Sequence, residues 1–280
     1  MPRITTADQT ELYVKDWGDG PPVVLIHGWP LNADSWDDQA MALAEAGHRV
    51  IAYDRRGFGR SSQPWNGYDY DTLADDLACV MEQLDLQDAT LVGFSMGGGE
   101  VARYLSRHQG ASVARVALVS SVLPFRTKTE DNPMGAEASS FDRTARALQD
   151  DRAKFFTGFF RDFFGAGLLD NRVSDEVLRW AHGMAMQASL RATVACMRAF
   201  SSTDFRPDLA AFTQPTLFIH GTDDKTVPMS GSSRLAAAAI PTARLIPYEG
   251  APHGVFVTHK KRLTRDLLAF LRSDDGAAPA

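Results

Sequence analysis

The chain has 280 residues, of which 44% are hydrophobic and 23% charged, a composition typical of a folded globular protein with a sizeable core. Its net charge of −6 argues against a protein built around nucleic acid, because such proteins carry a strong basic face. Its 2 cysteines cannot form a disulfide framework or a cysteine-rich zinc site. Since the sequence lacks a long apolar run, we expect a cytoplasmic, metal-free protein with no signal peptide or membrane span.

Short, nearly continuous apolar runs alternate along the chain with stretches of helical periodicity. Such runs predict strands that are buried on both faces of a parallel sheet. The expected strands lie at residues 23–27, 49–53, 90–94, 115–121, 216–220 and 244–248. Helices are expected at 70–84, behind a cap at Asp71, and at 98–108 and 258–271. The alternation predicts an α/β fold, with a mostly parallel central sheet flanked by helices.

One segment, residues 124–207, interrupts this alternation because it shows helical periodicity and no strand pattern. It lies between two predicted strands, so we expect an inserted helical cap over the strand ends. The core is then predicted to comprise residues 1–123 and 208–272, followed by a flexible tail at 273–280. The cap contains the run FFTGFFRDFF at 155–164, and most of its phenylalanines are expected to attach the cap to the core.

The strongest chemical signal is the G-x-S-x-G pattern of residues 93–97, which follows a predicted strand and precedes a predicted helix. A nucleophile on so sharp a turn has a strained backbone, so its neighbours must be small. The helix that begins there directs free N–H groups and its positive dipole end toward the place where an oxyanion develops. Ser95 is therefore the predicted nucleophile.

A serine nucleophile needs a histidine base and an orienting carboxylate, which in this fold follow it in the order acid, then histidine. His253 is the predicted base, because it lies after the last strand in a glycine-flanked loop. His259 falls inside the last helix pattern and is expected to face solvent, whereas His220 ends a strand and is expected to be a buried structural residue. Asp223 and Asp224 are adjacent in the loop after the fifth strand, and spacing alone does not separate them.

The second half of an oxyanion hole is expected in the loop after the first predicted strand, where His27 to Pro30 read H-G-W-P. There the backbone N–H of Trp29 can act together with that of Met96 on the substrate oxygen. Pro30 has no N–H to donate and favours an extended backbone at Trp29. We expect Trp29, Pro30 and Phe94 to contact the substrate.

Other chemistries lack their motifs, since the sequence has no G-x-x-x-x-G-K-[ST] phosphate loop and no H-E-x-x-H zinc motif. The G-F-G of residues 57–59 begins like a dinucleotide fingerprint, but Ser62 stands where the third glycine belongs. The charges and glycines of residues 54–61 suit a structural turn beside the site instead. No cofactor is expected.

Six stretches, taken together from Leu12 to Leu271, carry a resemblance to a known family. They are KDWG at 15–18, HGWP at 27–30, YDRRGFGRS at 53–61, GFSMGGGE at 93–100, TDFR at 203–206 and APHG at 251–254. In combination they resemble the α/β-hydrolases of the cofactor-free (non-haem) haloperoxidase, perhydrolase and aryl-esterase group. The resemblance implies Ser95 as nucleophile, His253 as base and, from its distance to Pro228, Asp224 as the acid.

This resemblance also implies a reaction and its partners. Ser95 attacks the carbonyl of a small ester or carboxylic acid, and the acyl-enzyme then reacts with water or another small nucleophile. With hydrogen peroxide the product is a peracid, which oxidises halide in free solution. Family members with proline after H-G-W resemble the perhydrolase side of the group, so Pro30 favours perhydrolysis as a second activity. A homo-oligomer is expected, with no nucleic acid or membrane partner.

Related functions are separated by the residue at the nucleophile position. Epoxide hydrolases and haloalkane dehalogenases carry an aspartate there, so Ser95 excludes both. Hydrolysis of lactones, lactams or carbon–carbon bonds uses the same serine triad and stays open. A ligand-binding receptor on this scaffold has no need of a nucleophile, and the presence of Ser95, His253 and Asp224 argues against that role.

Overall fold

One mixed sheet organises the part of the chain that the computed structural model describes, residues 3–110, 112–167 and 172–272. Its strands are Arg3–Thr5 (β1), Glu11–Trp17 (β2), Pro22–Ile26 (β3), Arg49–Tyr53 (β4), Ala89–Phe94 (β5), Val113–Val119 (β6), Thr216–Gly221 (β7) and Ala243–Tyr248 (β8). They lie in the order β1-β2-β4-β3-β5-β6-β7-β8. The pairings β1–β2 and β2–β4 are antiparallel, and the others are parallel. The predicted α/β fold is confirmed.

Helices flank the sheet and also form the segment between β6 and β7. Within the described residues they are Asp37–Glu45 (α1), Tyr70–Gln83 (α2), Met96–His108 (α3), Ala138–Phe163 (α4), Asp175–Gln187 (α5), Leu190–Ser202 (α6), Ser233–Ala239 (α7), Val255–Thr258 (α8) and Lys260–Arg272 (α9). Helix α4 packs against both α5 and α6, and these three helices lie where the cap was predicted. None of the described helices is long and apolar enough to cross a membrane. The predicted tail, residues 273–280, lies outside the described residues.

The parallel strands explain where a site can form. All six residues of β5 are buried, as are four of the five in β3, because helices cover the parallel part of the sheet. Neighbouring parallel strands end at the same edge of the sheet. The loops after β3, β5, β6, β7 and β8 therefore meet at one edge, which is the usual ligand position in open α/β sheets.

Three local predictions need correction. Helix α2 is capped by Asp69, whose side chain accepts the backbone N–H of Thr72, and not by Asp71, which lies inside the helix. Strand β6 ends two residues before the predicted position because Ser120 has a φ of +47°, which a strand cannot contain. Strands β1 and β2 were not predicted. In β2, Lys15 interrupts the apolar pattern, although it is buried beside carboxylates.

Candidate active site

Ser95 occupies the turn between β5 and α3 with φ +52° and ψ −113°, a strained combination for a residue with a side chain. The neighbouring glycines make this turn possible. A Cβ atom on Gly93 would lie 2.7 Å from the carbonyl oxygen of Gly97, and one on Gly97 would lie 2.6 Å from that of Ile26. The turn therefore has the geometry that the G-x-S-x-G pattern predicts.

A chain of hydrogen bonds connects Ser95 to the two predicted partner types. The Oγ atom of Ser95 lies 3.0 Å from Nε2 of His253. On the other side of the ring, Nδ1 of His253 lies 2.6 Å from Oδ2 of Asp224. The network is satisfied when Nδ1–H donates to the carboxylate and Nε2 accepts the hydroxyl proton. In that arrangement His253 can remove a proton from Ser95.

Asp224 is 4% exposed, and every one of its acceptor positions is engaged. Its Oδ1 accepts the backbone N–H groups of Thr226, at 2.9 Å, and of Val227, at 2.8 Å. Its Oδ2 also lies 3.0 Å from Nε2 of His220. Burial raises the pKa of Asp224, but the charge of His253 and the hydrogen bonds from both histidines outweigh burial and hold it well below its usual range.

The adjacent Asp223 is in a different environment. Its side chain is exposed, and its backbone N–H donates to the carbonyl oxygen of Ala251. The structure therefore brings Asp224, and not Asp223, to His253. The buried position predicted for His220 is observed, and its direct contact with Asp224 was not predicted.

The loop that carries His253 is packed between the core and helix α4. The N–H of Gly254 donates to the carbonyl oxygen of Phe163 at 2.8 Å. The imidazole of His253 lies between two rings, with centroid distances of 5.0 Å to Phe94 and 4.8 Å to Phe163. These contacts hold the imidazole in one orientation toward Ser95.

The H-G-W-P loop, residues 27–30, follows β3 and lies next to Ser95. The His27 side chain is buried. Its Nδ1 lies 3.0 Å from the carbonyl oxygen of Gly28, and its Nε2 accepts the backbone N–H of Arg55 at 3.0 Å. Burial, and secondarily the charge of Arg55, holds the pKa of His27 well below its ordinary value, so the ring is neutral. A Cβ on Gly28 would lie 2.6 Å from the ring of Phe94 and 3.0 Å from Cβ of Ser95. Glycine is therefore required for this close approach.

Met96 and Trp29 are the predicted oxyanion-hole residues. Met96 is the first residue of α3, so its N–H has no acceptor within the helix. Trp29 follows the tightly packed Gly28, and its indole N–H donates to the carbonyl oxygen of Thr193 in α6 at 2.9 Å. This hydrogen bond ties the loop to the helical segment.

A cavity of about 310 Å³ opens above Ser95. Its lining side chains are Trp29, Ser95, Val122, Arg126, Phe141, Thr144, Phe155, Phe159, Asp162, Met197, Phe200, Lys225, Thr226 and Val227. Most of them come from the segment between β6 and β7 or from the loop after β7. Of the phenylalanine run, Phe155 and Phe159 line the cavity, whereas Phe156 and Phe160 are buried in the packing below. The segment thus supplies much of the binding surface.

Two of the three residues that were predicted to contact the substrate do not line this cavity. Among the described residues, the cavity includes Trp29 but neither Pro30 nor Phe94. The Phe94 side chain is buried and packs against the rings of His253, Phe163 and Phe256. It precedes the turn at Ser95, so its side chain belongs to the strand and supports the histidine. Pro30 is buried beside Trp29.

Sequence reasoning missed Arg126, His220 as a partner of Asp224, and the cavity-lining residues of the helical segment. The only available signal for Arg126 was its position shortly after a strand that ends at the same sheet edge as the one before Ser95. For His220, the signal was its spacing of four residues before Asp224. Neither signal identifies a contact by itself.

Comparisons with known proteins agree with the fold. The alpha/beta hydrolase fold family model matches residues 21–260. A non-heme chloroperoxidase from Kitasatospora aureofaciens is 44% identical over 273 residues, covering 97% of this chain and 99% of the relative. A bifunctional esterase/perhydrolase from Acinetobacter calcoaceticus is 41% identical over 278 residues, covering 98% of this chain and 100% of the relative.

A solved structure gives the same result in three dimensions. The bromoperoxidase from Bacillus anthracis superposes with a TM-score of 0.93 and 46% identity, covering 97% of this chain and 100% of that one. The resemblance predicted from the sequence motifs is therefore confirmed. The chain belongs to the alpha/beta hydrolase fold family, in the group that contains non-heme haloperoxidases and esterase/perhydrolases.

Proposed function

We propose that this protein is a serine hydrolase of small carboxylic esters, with a second, perhydrolase activity. The observation that carries the proposal is the hydrogen-bonded chain from Ser95 through His253 to Asp224 at the base of a largely apolar cavity. A purely binding protein gains nothing from a strained serine held 3.0 Å from a histidine nitrogen.

In the proposed reaction, Ser95 Oγ attacks the ester carbonyl while His253 Nε2 takes the hydroxyl proton. The N–H groups of Trp29 and Met96 stabilise the oxyanion, and the dipole of α3 adds to this effect. His253 then returns the proton to the leaving alcohol, and an acyl-enzyme remains. Asp224 keeps the imidazole in the productive tautomer and stabilises its protonated form.

The acyl-enzyme can then transfer its acyl group to either of two nucleophiles. Water gives the carboxylic acid, whereas hydrogen peroxide gives a peracid, and in both cases His253 takes a proton and returns it to Ser95 Oγ. The peracid then oxidises a halide ion to hypohalous acid and is itself reduced to the carboxylic acid. The names of the chloroperoxidase, bromoperoxidase and esterase/perhydrolase relatives support this second activity. Every step uses groups of the chain and the reactants, so the scheme needs no cofactor.

Covalent labelling tests this proposal directly. A fluorophosphonate probe should label the native protein, and peptide mapping should find the label on Ser95. Heat-denatured protein is the control, because the serine is activated only in the folded site. An absence of labelling in protein that hydrolyses an aryl acetate would contradict the assignment of Ser95. Halide oxidation that requires both peroxide and a carboxylic acid or ester would support the second activity.

The remaining expectations concern assembly and location. We propose a homo-oligomer on the basis of the family resemblance, and a cytoplasmic location on the basis of the sequence features given above. Light scattering coupled to gel filtration gives the mass of the particle in solution, and a mass of one chain would contradict the first expectation. Cell fractionation with an antibody tests the second.

A further inference from the structure

Arg126 lies in the loop after β6 and lines the same cavity as Ser95. It is only 7% exposed, although arginine side chains are almost never fully buried unless they are paired. The hydrolysis of a simple neutral ester, as described above, gives a guanidinium in this position no role.

The guanidinium of Arg126 is incompletely paired. Its Nη2 donates to the backbone carbonyl oxygen of Thr226 at 2.9 Å, while its buried Nε has no hydrogen-bond partner within the part of the chain that the structure describes. Among the described residues, no carboxylate forms an ion pair with it. Burial lowers the pKa of Arg126 and the charge of Asp224 raises it, with burial the stronger influence. A buried cation with a free donor favours an anionic partner.

The nearby acidic groups are already committed or lie at the surface. Both oxygens of Asp224 accept hydrogen bonds from His253, His220 and two backbone N–H groups. Asp162, the one acidic side chain that the described residues contribute to the cavity lining, is exposed. Lys225, also exposed, adds a second positive charge to the lining. The rest of the lining near Arg126 is largely apolar, including Val122.

We propose that Arg126 binds a free carboxylate on the substrate, so that the preferred esters are monoesters of dicarboxylic acids. This inference rests on the proposed function, since it places the ester carbonyl of the same molecule at Ser95. The substrate carboxylate would supply the missing negative charge and the acceptor for Nε. A guanidinium matches a carboxylate in geometry, and charge-assisted hydrogen bonds of this kind are the strong ones.

The test compares pairs of methyl esters that have the same chain length and differ only in a terminal carboxylate. Monomethyl adipate is paired with methyl hexanoate, and monomethyl glutarate with methyl pentanoate. We expect the wild-type kcat/KM to be higher for the monoester in at least one pair. In Arg126→Met the ratio of monoester to neutral ester should fall by about 10- to 100-fold, the range for a hydrogen bond to a charged group. The ratio for Arg126→Lys should lie between those of the wild type and Arg126→Met.

A matched control is available in Arg244 on β8, whose guanidinium nitrogens are also buried without hydrogen-bond partners among the described residues and lie over the ring of Phe270. Arg244 does not line the cavity. Arg244→Met should leave the substrate ratio unchanged. Arg126→Met should also raise Tm, because it removes a buried and incompletely paired charge. A merely structural Arg126 would instead give a lower Tm and an equal loss on both esters.

The outcomes separate this inference from the proposed function. A wild-type enzyme that hydrolyses neutral esters and shows no preference for any monoester overturns the role of Arg126 alone. An unchanged ratio in Arg126→Met does the same. A protein that hydrolyses no ester of either kind overturns the proposed function. As a readout that does not depend on turnover of the monoesters, adipate should inhibit neutral-ester hydrolysis competitively in the wild type, with a Ki about 10-fold or more higher in Arg126→Met.

Discussion

Asp223 and Asp224 are adjacent in sequence, but one carboxylate is exposed and the other is buried next to His253. A shift of one position along the chain therefore determines which carboxylate can orient the histidine. The carboxylate of Asp224 is buried among N–H donors and lies 2.6 Å from His253, whereas that of Asp223 is exposed. Residue type and spacing are nearly identical for the two. Only the fold of the loop distinguishes them, because the N–H groups of Thr226 and Val227 turn back toward Asp224.

This contrast gives a matched pair of substitutions. Asp224→Asn should lower kcat for ester hydrolysis by about 10³- to 10⁴-fold, because an amide at this position stabilises the wrong tautomer of His253. Asp223→Asn should cost far less, since its side chain is exposed. Steady-state kinetics on one aryl ester measure both. Effects in the reverse order would assign the acid to Asp223.

Pro30 should favour peracid formation through its effect on the backbone of Trp29. A carbonyl group at Trp29 that faces the site can accept a hydrogen bond from peroxide while the N–H of Trp29 holds the oxyanion. Pro30 restricts that backbone, and one hydrogen bond corresponds to a severalfold change in rate. Pro30→Leu should therefore lower the ratio of peracid formation to ester hydrolysis severalfold. Both rates are measured on one ester while peroxide is varied; an equal fall in both would limit Pro30 to a structural role.

The parallel strands and the turn at Ser95 were predictable because their sequence signals are local. Continuous apolar runs mark buried strands, and Gly93 and Gly97 border the strained serine. Strand β2 was missed because a lysine at position 15 argues against a buried strand. In the fold, however, Asp34 and Asp37 from a later segment neutralise Lys15. The side of the α4–α6 segment that lines the cavity could not be predicted either, since helical periodicity does not tell which face of a helix lies over a cavity.

A buried ion pair connects the loop after β4 to helix α3. Arg55, after β4, contacts Glu100 of α3 with a distance of 2.7 Å and also donates to the carbonyl oxygen of His27 at 2.9 Å. Both charged side chains are buried, and Tyr53 also donates to Glu100. The pair therefore fixes α3 relative to the H-G-W-P loop. This matches the structural turn that the sequence of residues 54–61 predicts.

Removal of one partner should be costly. Glu100→Ala leaves the buried charge of Arg55 uncompensated, and we expect the free energy of unfolding to fall by about 3–5 kcal/mol. Urea denaturation measures this change. Glu176→Ala is the control, because its pair with Arg179 is exposed and should contribute little. Equal midpoints for the two variants would contradict a stabilising role for the buried pair.

For the whole molecule, burial of a neutral His27 couples stability to pH. Its pKa in the folded protein is held well below the ordinary 6.5, so as pH falls below 6.5 the unfolded chain takes up a proton that the folded chain does not. Stability therefore falls with pH in this window, by about 1.4 kcal/mol per pH unit from this residue. Above pH 6.5 the residue contributes no pH dependence.

The measurement is the free energy of unfolding from urea titrations between pH 5 and pH 8, for the wild type and for His27→Gln. The variant should lose stability less steeply below pH 6.5, whatever its absolute stability. Asp224 does not mimic this effect, because its depressed pKa makes its stabilisation disappear only in more acidic solution, below its unfolded value. Parallel curves for the two proteins would contradict a buried, neutral His27.

The turnover of Ser95→Ala tests most directly whether Ser95 is the nucleophile of an ester hydrolase. The variant should fold normally, with an unchanged circular dichroism spectrum, and should lose about 10⁴-fold or more in kcat on an aryl ester. The control variant Ser202→Ala, in which the lost hydroxyl is exposed and donates to the carbonyl oxygen of Arg198 in its own helix, should lose far less. Activity of Ser95→Ala within tenfold of the wild type would contradict the assignment of Ser95 as the nucleophile.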